Sequence, residues 1–173
     1  MDLKKIIEDR YSVRQFTDEV IDNSIVEKII DLARKAPSAK NKQPYRVYLI
    51  NDPFVIEELR KTIKSIGDCK NLLLITSIPN EAWINKRRND YNIVDIDVGI
   101  FSTYIMLSAW NYGIGSCMIG MFDDKDVRKI VDLKVDEVPA LFLALGYISP
   151  SSKPSEQYHY YRKSVNDILI TKN

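Results

Sequence analysis

The alternation of apolar and polar positions divides this chain into short helices and strands. Leu3, Ile6 and Ile7 share one helical face, predicting a helix over Leu3–Asp9. Arg10-Tyr11-Ser12-Val13-Arg14-Gln15-Phe16 has no such face and reads as irregular or extended. Ser24 and Glu27 have the spacing of a capping box. Behind them Val26, Ile29, Ile30 and Ala33 recur at i, i+3, i+4 and i+7. Pro37 disfavours helical geometry before it, so this helix is expected to stop at Ala36. A polar loop, Pro37 to Pro44, leads to a strand over Tyr45 to Ile50. Pro53 suits the first turn of a helix running to about Ile66, with Val55, Ile56, Leu59 and Ile63 inward. Leu72 to Ser77 is short and almost continuously apolar, as a buried strand is.

Asn80 to Asn92 shows no period. From Ile93 to Asn111 the apolar residues fall on most sides of a helix, which predicts burial all round, centrally or against a partner. Gly113 is a natural stop. Ile114 to Ile119 reads as a third strand, and Asp123 or Asp124 can cap a short helix through Val131. Pro139 to Tyr147 is a fourth strand, and Ser164 to Ile170 a last helix. Regular βαβ units are too few for a doubly wound sheet, so the pattern favours an α+β sandwich.

The length, 173 residues, suits a single domain over residues 1–173, and 45% hydrophobic residues supply a core. The net charge of +1 gives no long-range pull on phosphate backbones, so nucleic acid is not expected as a partner. Two cysteines, Cys69 and Cys117, and one histidine, His159, form no metal-ligand spacing. The start, MDLKKIIEDRYS, lacks the apolar core of a signal peptide, and no apolar run is long enough to span a bilayer. The expectation is a reduced, cytoplasmic protein with no membrane contact.

Four stretches carry candidate chemistry. Arg10, Ser12 and Arg14 alternate, so an extended backbone points all three the same way. Two guanidiniums flanking a hydroxyl make a phosphate clamp, or a solvated surface. In Pro37-Ser38-Ala39-Lys40-Asn41-Lys42-Gln43-Pro44, two prolines bound a run of small polar groups that can hydrogen-bond a polyol or heterocycle, or simply connect a helix to a strand. Gly113 to Gly120 lacks dinucleotide-fingerprint spacing and enters a strand, but Gly120 can let a flat ligand approach the backbone. Arg162 and Lys163 precede the last helix as charge.

Taken together and in order, these stretches resemble the nitroreductase family of FMN-dependent flavoproteins. RYSVRQF at 10–16 is similar to that family's opening segment, and APSAKNKQPY at 36–45 to its second motif. The likeness returns at 97–123, DVGIFSTYIMLSAWNYGIGSCMIGMFD, at 138–149, and at the closing RKSVNDILI of 162–170. Residues 51–96 carry little of it.

The resemblance implies an α+β nitroreductase-like fold. A central mixed or antiparallel sheet of four to five strands would be flanked by helices in an intertwined homodimer. It implies a cofactor set of Arg10, Tyr11, Ser12, Arg14, Pro37, Ser38, Ala39, Asn41, Met118, Ile119, Gly120, Arg162 and Lys163. The arginines would hold the FMN phosphate, residues 37–41 would reach in from the other subunit, and Ile119 and Gly120 would lie along the isoalloxazine. The helix around 97–110 would pack in the dimer interface. The implied activity passes hydride from NADH or NADPH through flavin N5 to a nitroaromatic, quinone or similar small acceptor by a ping-pong scheme, with no catalytic side chain. The alternatives are an FMN-binding sensor or storage protein, and an interaction module that kept the fold.

The chain departs from the family where Tyr45 stands for a common Trp, Met121 for a frequent Gly, and Thr103-Tyr104 for a Gln-Asn pair. The middle region is also compressed. Arg60, Lys61 and Lys64 are candidates for a cation near flavin N1. Cys117 reads as a buried strand residue and His159 as a surface residue by the C-terminal arm. Lys86, Arg87 and Arg88 read as a solvated turn, or as cations that steer the phosphates of NAD(P)H.

Overall fold

The computed structural model describes residues 2–172. Four strands, β1 (Tyr45–Ile50), β2 (Asn71–Ser77), β5 (Ile114–Ile119) and β6 (Val138–Tyr147), form one sheet in the order β1-β2-β6-β5. Every neighbouring pair is antiparallel. The helices are α1 (Leu3–Asp9), α2 (Asn23–Ala33), α3 (Pro53–Thr62), α4 (Val94–Asn111), α5 (Asp124–Val131) and α6 (Val165–Ile168). The α+β expectation holds, with an antiparallel sheet.

The period of two along each strand makes two cores. Leu73, Ile75, Leu141, Leu143 and Leu145 face α2 and α4, against Ile29, Phe101 and Ile105. Leu72, Leu74, Phe142 and Ala144 face the other way, against Ile56 and Leu59 of α3 and Val127 of α5. Each such side chain, fully buried, contributes about 1.5–3 kcal/mol. Strand β2 is buried along its whole length because helices cover both its faces, which is why it reads as one apolar run.

Several boundaries differ from the sequence expectation. The α2 cap is Asp22, whose Oδ1 accepts from Ser24 N at 2.8 Å, not Ser24 itself. The helix ends at Ala33, and residues 34–36 finish as turns, with Ala36 N donating to Ala33 O. Asp52 caps α3, with Pro53 in its first turn as expected, but the helix stops at Thr62 and a 3-10 turn follows over Lys64–Ile66. Asp123 caps α5. The last helix is only Val165–Ile168, closed by a capping box of Ser164 and Asp167.

The stretch without a period is a small hairpin. Strands β3 (Ile84–Asn85) and β4 (Tyr91–Asn92) pair across a 3-10 turn at Lys86–Arg88, with Asn89 and Asp90 left-handed. Helix α4 is not buried all round on its own chain. Val98, Phe101, Ile105 and Ala109 are in the core, whereas Ile96 is 44% and Tyr104 39% exposed, with Ile100 and Leu107 half-buried along the same side. No helix among the described residues is long and apolar enough to cross a membrane.

Candidate functional site

The Arg10–Phe16 segment extends along the β5 edge of the sheet. Val13 N donates to Ser116 O at 2.9 Å, and Ser12 bridges Ser116 in parallel. Phe16 bridges Ile148, and Thr17 N donates to Tyr147 O. The segment crosses β5 and β6 so closely that two strand residues must be glycine. A Cβ on Gly115 would meet Val13 at 2.8 Å, and one on Gly146 would meet Phe16 at 2.6 Å.

Alternation then sorts the side chains. Tyr11 and Val13 turn inward; Arg10 and Ser12 stay half-buried and Arg14 is exposed. Tyr11 is committed to the protein: its ring meets Trp110 at 5.5 Å and His159 at 6.0 Å, and its hydroxyl lies 3.2 Å from Ser152 Oγ. Only its backbone is left for a ligand.

The cations at this edge are not neutralised by carboxylates. Among the described residues, Arg10, Arg14, Arg162 and Lys163 take part in none of the ion pairs. Arg14 donates to Ser12 O at 3.2 Å, and Arg162 to Tyr161 O at 2.7 Å. Burial, and then the facing Arg162, lower the pKa of Arg10. A half-buried guanidinium beside a like charge costs free energy unless an anion joins them. His159 belongs to the same cluster: burial, Arg162 and Arg10 hold its imidazole below the ordinary value. The sequence places it at the surface, whereas here it is half-buried. Its contacts come from a single turn of π-helix over Glu156–Tyr160 that folds back on the N-terminal segment, and no local pattern announces that. Tyr158 joins it, with Arg14 5.9 Å above its ring.

The parallel Ser12–Ser116 bridge puts Arg14 toward the end of β5 and Arg10 toward its start. Ile119 is buried, Met118 is 43% exposed, and a Cβ on Gly120 would meet nothing within 4 Å. No neighbour in the chain requires glycine there. Cys117 is buried and its thiol is pushed up by burial, which makes it a strand residue and not a nucleophile. Two candidates for the N1 cation are otherwise engaged. Arg60 pairs with Glu57 at 2.6 Å and donates to Gly67 O at 3.0 Å, and Lys61 pairs with Glu58.

The loop carrying Pro37, Ser38, Ala39 and Asn41 is elsewhere. It forms a 3-10 turn over Ala39–Asn41, with Lys40, Asn41 and Gln43 all at positive φ. Three such residues in a row of four mark a backbone that its surroundings over-determine. Ser38 Oγ accepts from Gln43 N at 3.0 Å, and the Gln43 amide donates to the Asn41 side chain at 3.1 Å. The principal holder is Asp97, in the first turn of α4. It is 2% exposed, and its Oδ1 accepts from Ala39 N at 2.9 Å. Its Oδ2 and the hydroxyl of Tyr45 are both buried without a partner. Tyr45, stacked on Phe101 at 4.0 Å, has its pKa raised by burial and then by Asp97. Asp97 was missed in the sequence. An acidic residue amid the apolar run of 93–111 was the available signal.

Thus the chain does not bring these two groups of residues together. The arginine segment packs at the Trp110 end of α4, and the 37–41 loop is held at its Asp97 end. Thirteen residues of α-helix separate these ends by about 20 Å. The structure sets Arg10, Ser12 and Arg14 along β5, with Arg162 facing Arg10, and Arg14 toward the Met118 end, and holds Pro37–Asn41 apart.

The sequence profile of the nitroreductase family matches residues 7–70 and 61–147, bridging the stretch where motif likeness was weak. A nitroreductase family protein from Clostridium difficile 630 superposes with a TM-score of 0.90 at 26% identity, covering 100% of this chain and 99% of that one. An NADH dehydrogenase of Thermus thermophilus is 22% identical over 91% of this chain and 92% of its own length. An NADPH-dependent oxidoreductase of Staphylococcus saprophyticus is 24% identical over 82% of this chain and 62% of its own length.

Proposed function

Because the chain belongs to the nitroreductase family, we propose that it is an NAD(P)H-dependent oxidoreductase whose FMN sites are each completed by two copies of the chain. The observation that carries this reading is the unneutralised set Arg10, Arg14 and Arg162 along the β5 edge, whose far end carries a Gly120 that no neighbour requires. The donor set fits FMN: cations for a phosphate, small polar groups for a ribityl chain, and a strand end free of Cβ for a flat ring. FMN, if bound there, would supply the redox chemistry, carrying hydride between NAD(P)H and a small acceptor.

The chain's part is binding and orientation. Arg10 and Arg14, with Arg162 and Lys163, hold the phosphate, and Ser12 adds a hydroxyl between the arginines. Met118, Ile119 and Gly120 line the ring, and the Gly120 backbone is open to close approach. The 37–41 loop of a second copy closes the polyol side through Ser38 and Asn41. Solvent supplies protons, so no side chain is assigned as acid or base. A quinone, a nitroaromatic or a similar small molecule is the acceptor class.

The geometry of α4 supports a homodimer. A twofold axis crossing its middle places the Asp97 end of one copy beside the Trp110 end of the other. The uncovered stripe of Ile96, Ile100, Tyr104 and Leu107 lies where such an axis would pass. The C-terminal arm needs cover too: Tyr158, Tyr160, Tyr161, Ile168, Leu169 and Ile170 are each at least 65% exposed.

Replacing Arg10 or Arg14 by Ala is expected to weaken FMN binding about ten- to hundred-fold, since a charge-assisted contact is worth about 1.5–3 kcal/mol. Fluorescence titration of the apoprotein measures it. An affinity equal to that of the unaltered protein would remove the phosphate assignment.

A further inference from the structure

The hairpin of residues 84–92 has no part in the cofactor site described above, yet it is built with some care. Asn85 Oδ1 accepts from Arg87 N at 3.0 Å and fixes the turn that carries Lys86 and Arg87. Arg88 lies 4.4 Å above the Tyr91 ring and braces the other strand. The base is tied down: Asn92 Nδ2 donates to Pro79 O at 3.0 Å, and Ile93 N to Trp83 O at 3.3 Å. Between hairpin and base lies a groove of about 510 Å³, lined by Trp83, Ile84, Asn85, Lys86 and Arg87. That volume lies within the range for small-molecule sites.

The chemistry of the lining is specific. A half-buried indole offers a flat face on which a purine base can stack. Beside it stand an ammonium and a guanidinium that form no ion pair among the described residues. Glu81 and Asp90 are the nearest carboxylates in sequence; neither lines the groove, and Glu81 is paired with Arg46 at 3.0 Å. Flat face plus paired cations is the complement of a purine nucleotide bearing a phosphate monoester.

The groove also lies where a long donor would need it. Pro79 follows Ile78, whose N–H donates to Pro44 O at 2.8 Å, so the hairpin and the 37–44 loop flank one turn. Hairpin and loop both meet the first turn of α4: Val94 follows the hairpin, and Asp97 holds Ala39. These two residues are about 4.5 Å apart along the helix axis. Lys40 and Lys42 extend the positive surface on the loop, again outside any ion pair among the described residues.

We propose that this groove receives the 2′-phosphoadenosine end of NADPH, with Trp83 against the adenine and Lys86 and Arg87 on the 2′-phosphate, so that NADPH is preferred over NADH. A turn that is merely solvated needs neither the indole nor the groove. The proposal rests on the reading that the chain oxidises a reduced nicotinamide, and its test has an arm independent of turnover.

The unaltered holoenzyme is expected to have a higher kcat/KM for NADPH than for NADH. In Lys86→Ala/Arg87→Ala the ratio of the two should fall about ten- to hundred-fold, as for loss of charge-assisted contacts to a phosphate. Calorimetry on the same proteins compares 2′-phospho-ADP-ribose with ADP-ribose, neither of which can be oxidised. Tighter binding of the 2′-phosphorylated ligand, lost in the double variant, supports the groove even in a protein that turns over neither donor. Equal binding of the two ligands, or an NADPH-to-NADH ratio unchanged by the substitutions, overturns it.

Discussion

His159 is the only histidine in the chain, so the charge state of the proposed phosphate site can be read at one side chain. Burial, Arg162 and Arg10 hold its pKa below 6.5. The sign follows from linkage. The unfolded imidazole takes its proton at about 6.5, whereas the folded one resists until lower pH, so stability falls as pH drops below 6.5. Burial is the larger cause, but an anion between the arginines offsets their repulsion and moves the midpoint back up. An NMR titration of His159 is therefore expected to give a midpoint below 6.5 in the apoprotein and a higher one with FMN bound. A midpoint indifferent to FMN would place the anion elsewhere. At this scale the sequence was partly legible. The alternation of Arg10, Ser12 and Arg14 against Tyr11 and Val13 needed only an extended backbone. His159 and Tyr158 reach the same site across some 145 residues of chain, and no local period encodes that.

Between elements, the Asp97 carboxylate ties the first turn of α4 to the loop that bears Ser38 and Asn41. Removing it leaves Ala39 N without its acceptor, under a backbone already held at positive φ. Asp97→Ala is expected to cost about 1–3 kcal/mol of stability and to weaken FMN binding. Asp97→Asn keeps an acceptor oxygen and should restore most of both. Thermal unfolding and FMN titration of the two variants decide it: an Ala variant with unaltered FMN affinity would reduce the clamp to scaffolding. Hydropathy did not separate the two apolar sides of α4, because the uncovered side of Ile96, Ile100, Tyr104 and Leu107 is as apolar as the side that meets the core. Similarly, Asp22 and Ser24 are both good caps, and only the backbone geometry chose Asp22. Strands of two residues, as in the 84–92 hairpin, are too short to show a period.

Over the whole molecule, the sheet and the two core layers were readable because each long element kept its own period. The separation of the arginine segment from the 37–41 loop, about 20 Å on one chain, was not readable from periods, and the proposed assembly is what would join them. The central claim is that two such chains hold FMN and reduce it with NAD(P)H. Its most direct test is the absorbance spectrum of freshly purified, gel-filtered protein, followed by anaerobic titration with NADPH and NADH. The account predicts a yellow protein that elutes as a dimer, carries equimolar FMN and is bleached by a reduced nicotinamide. A colourless protein that takes up no added FMN would contradict it.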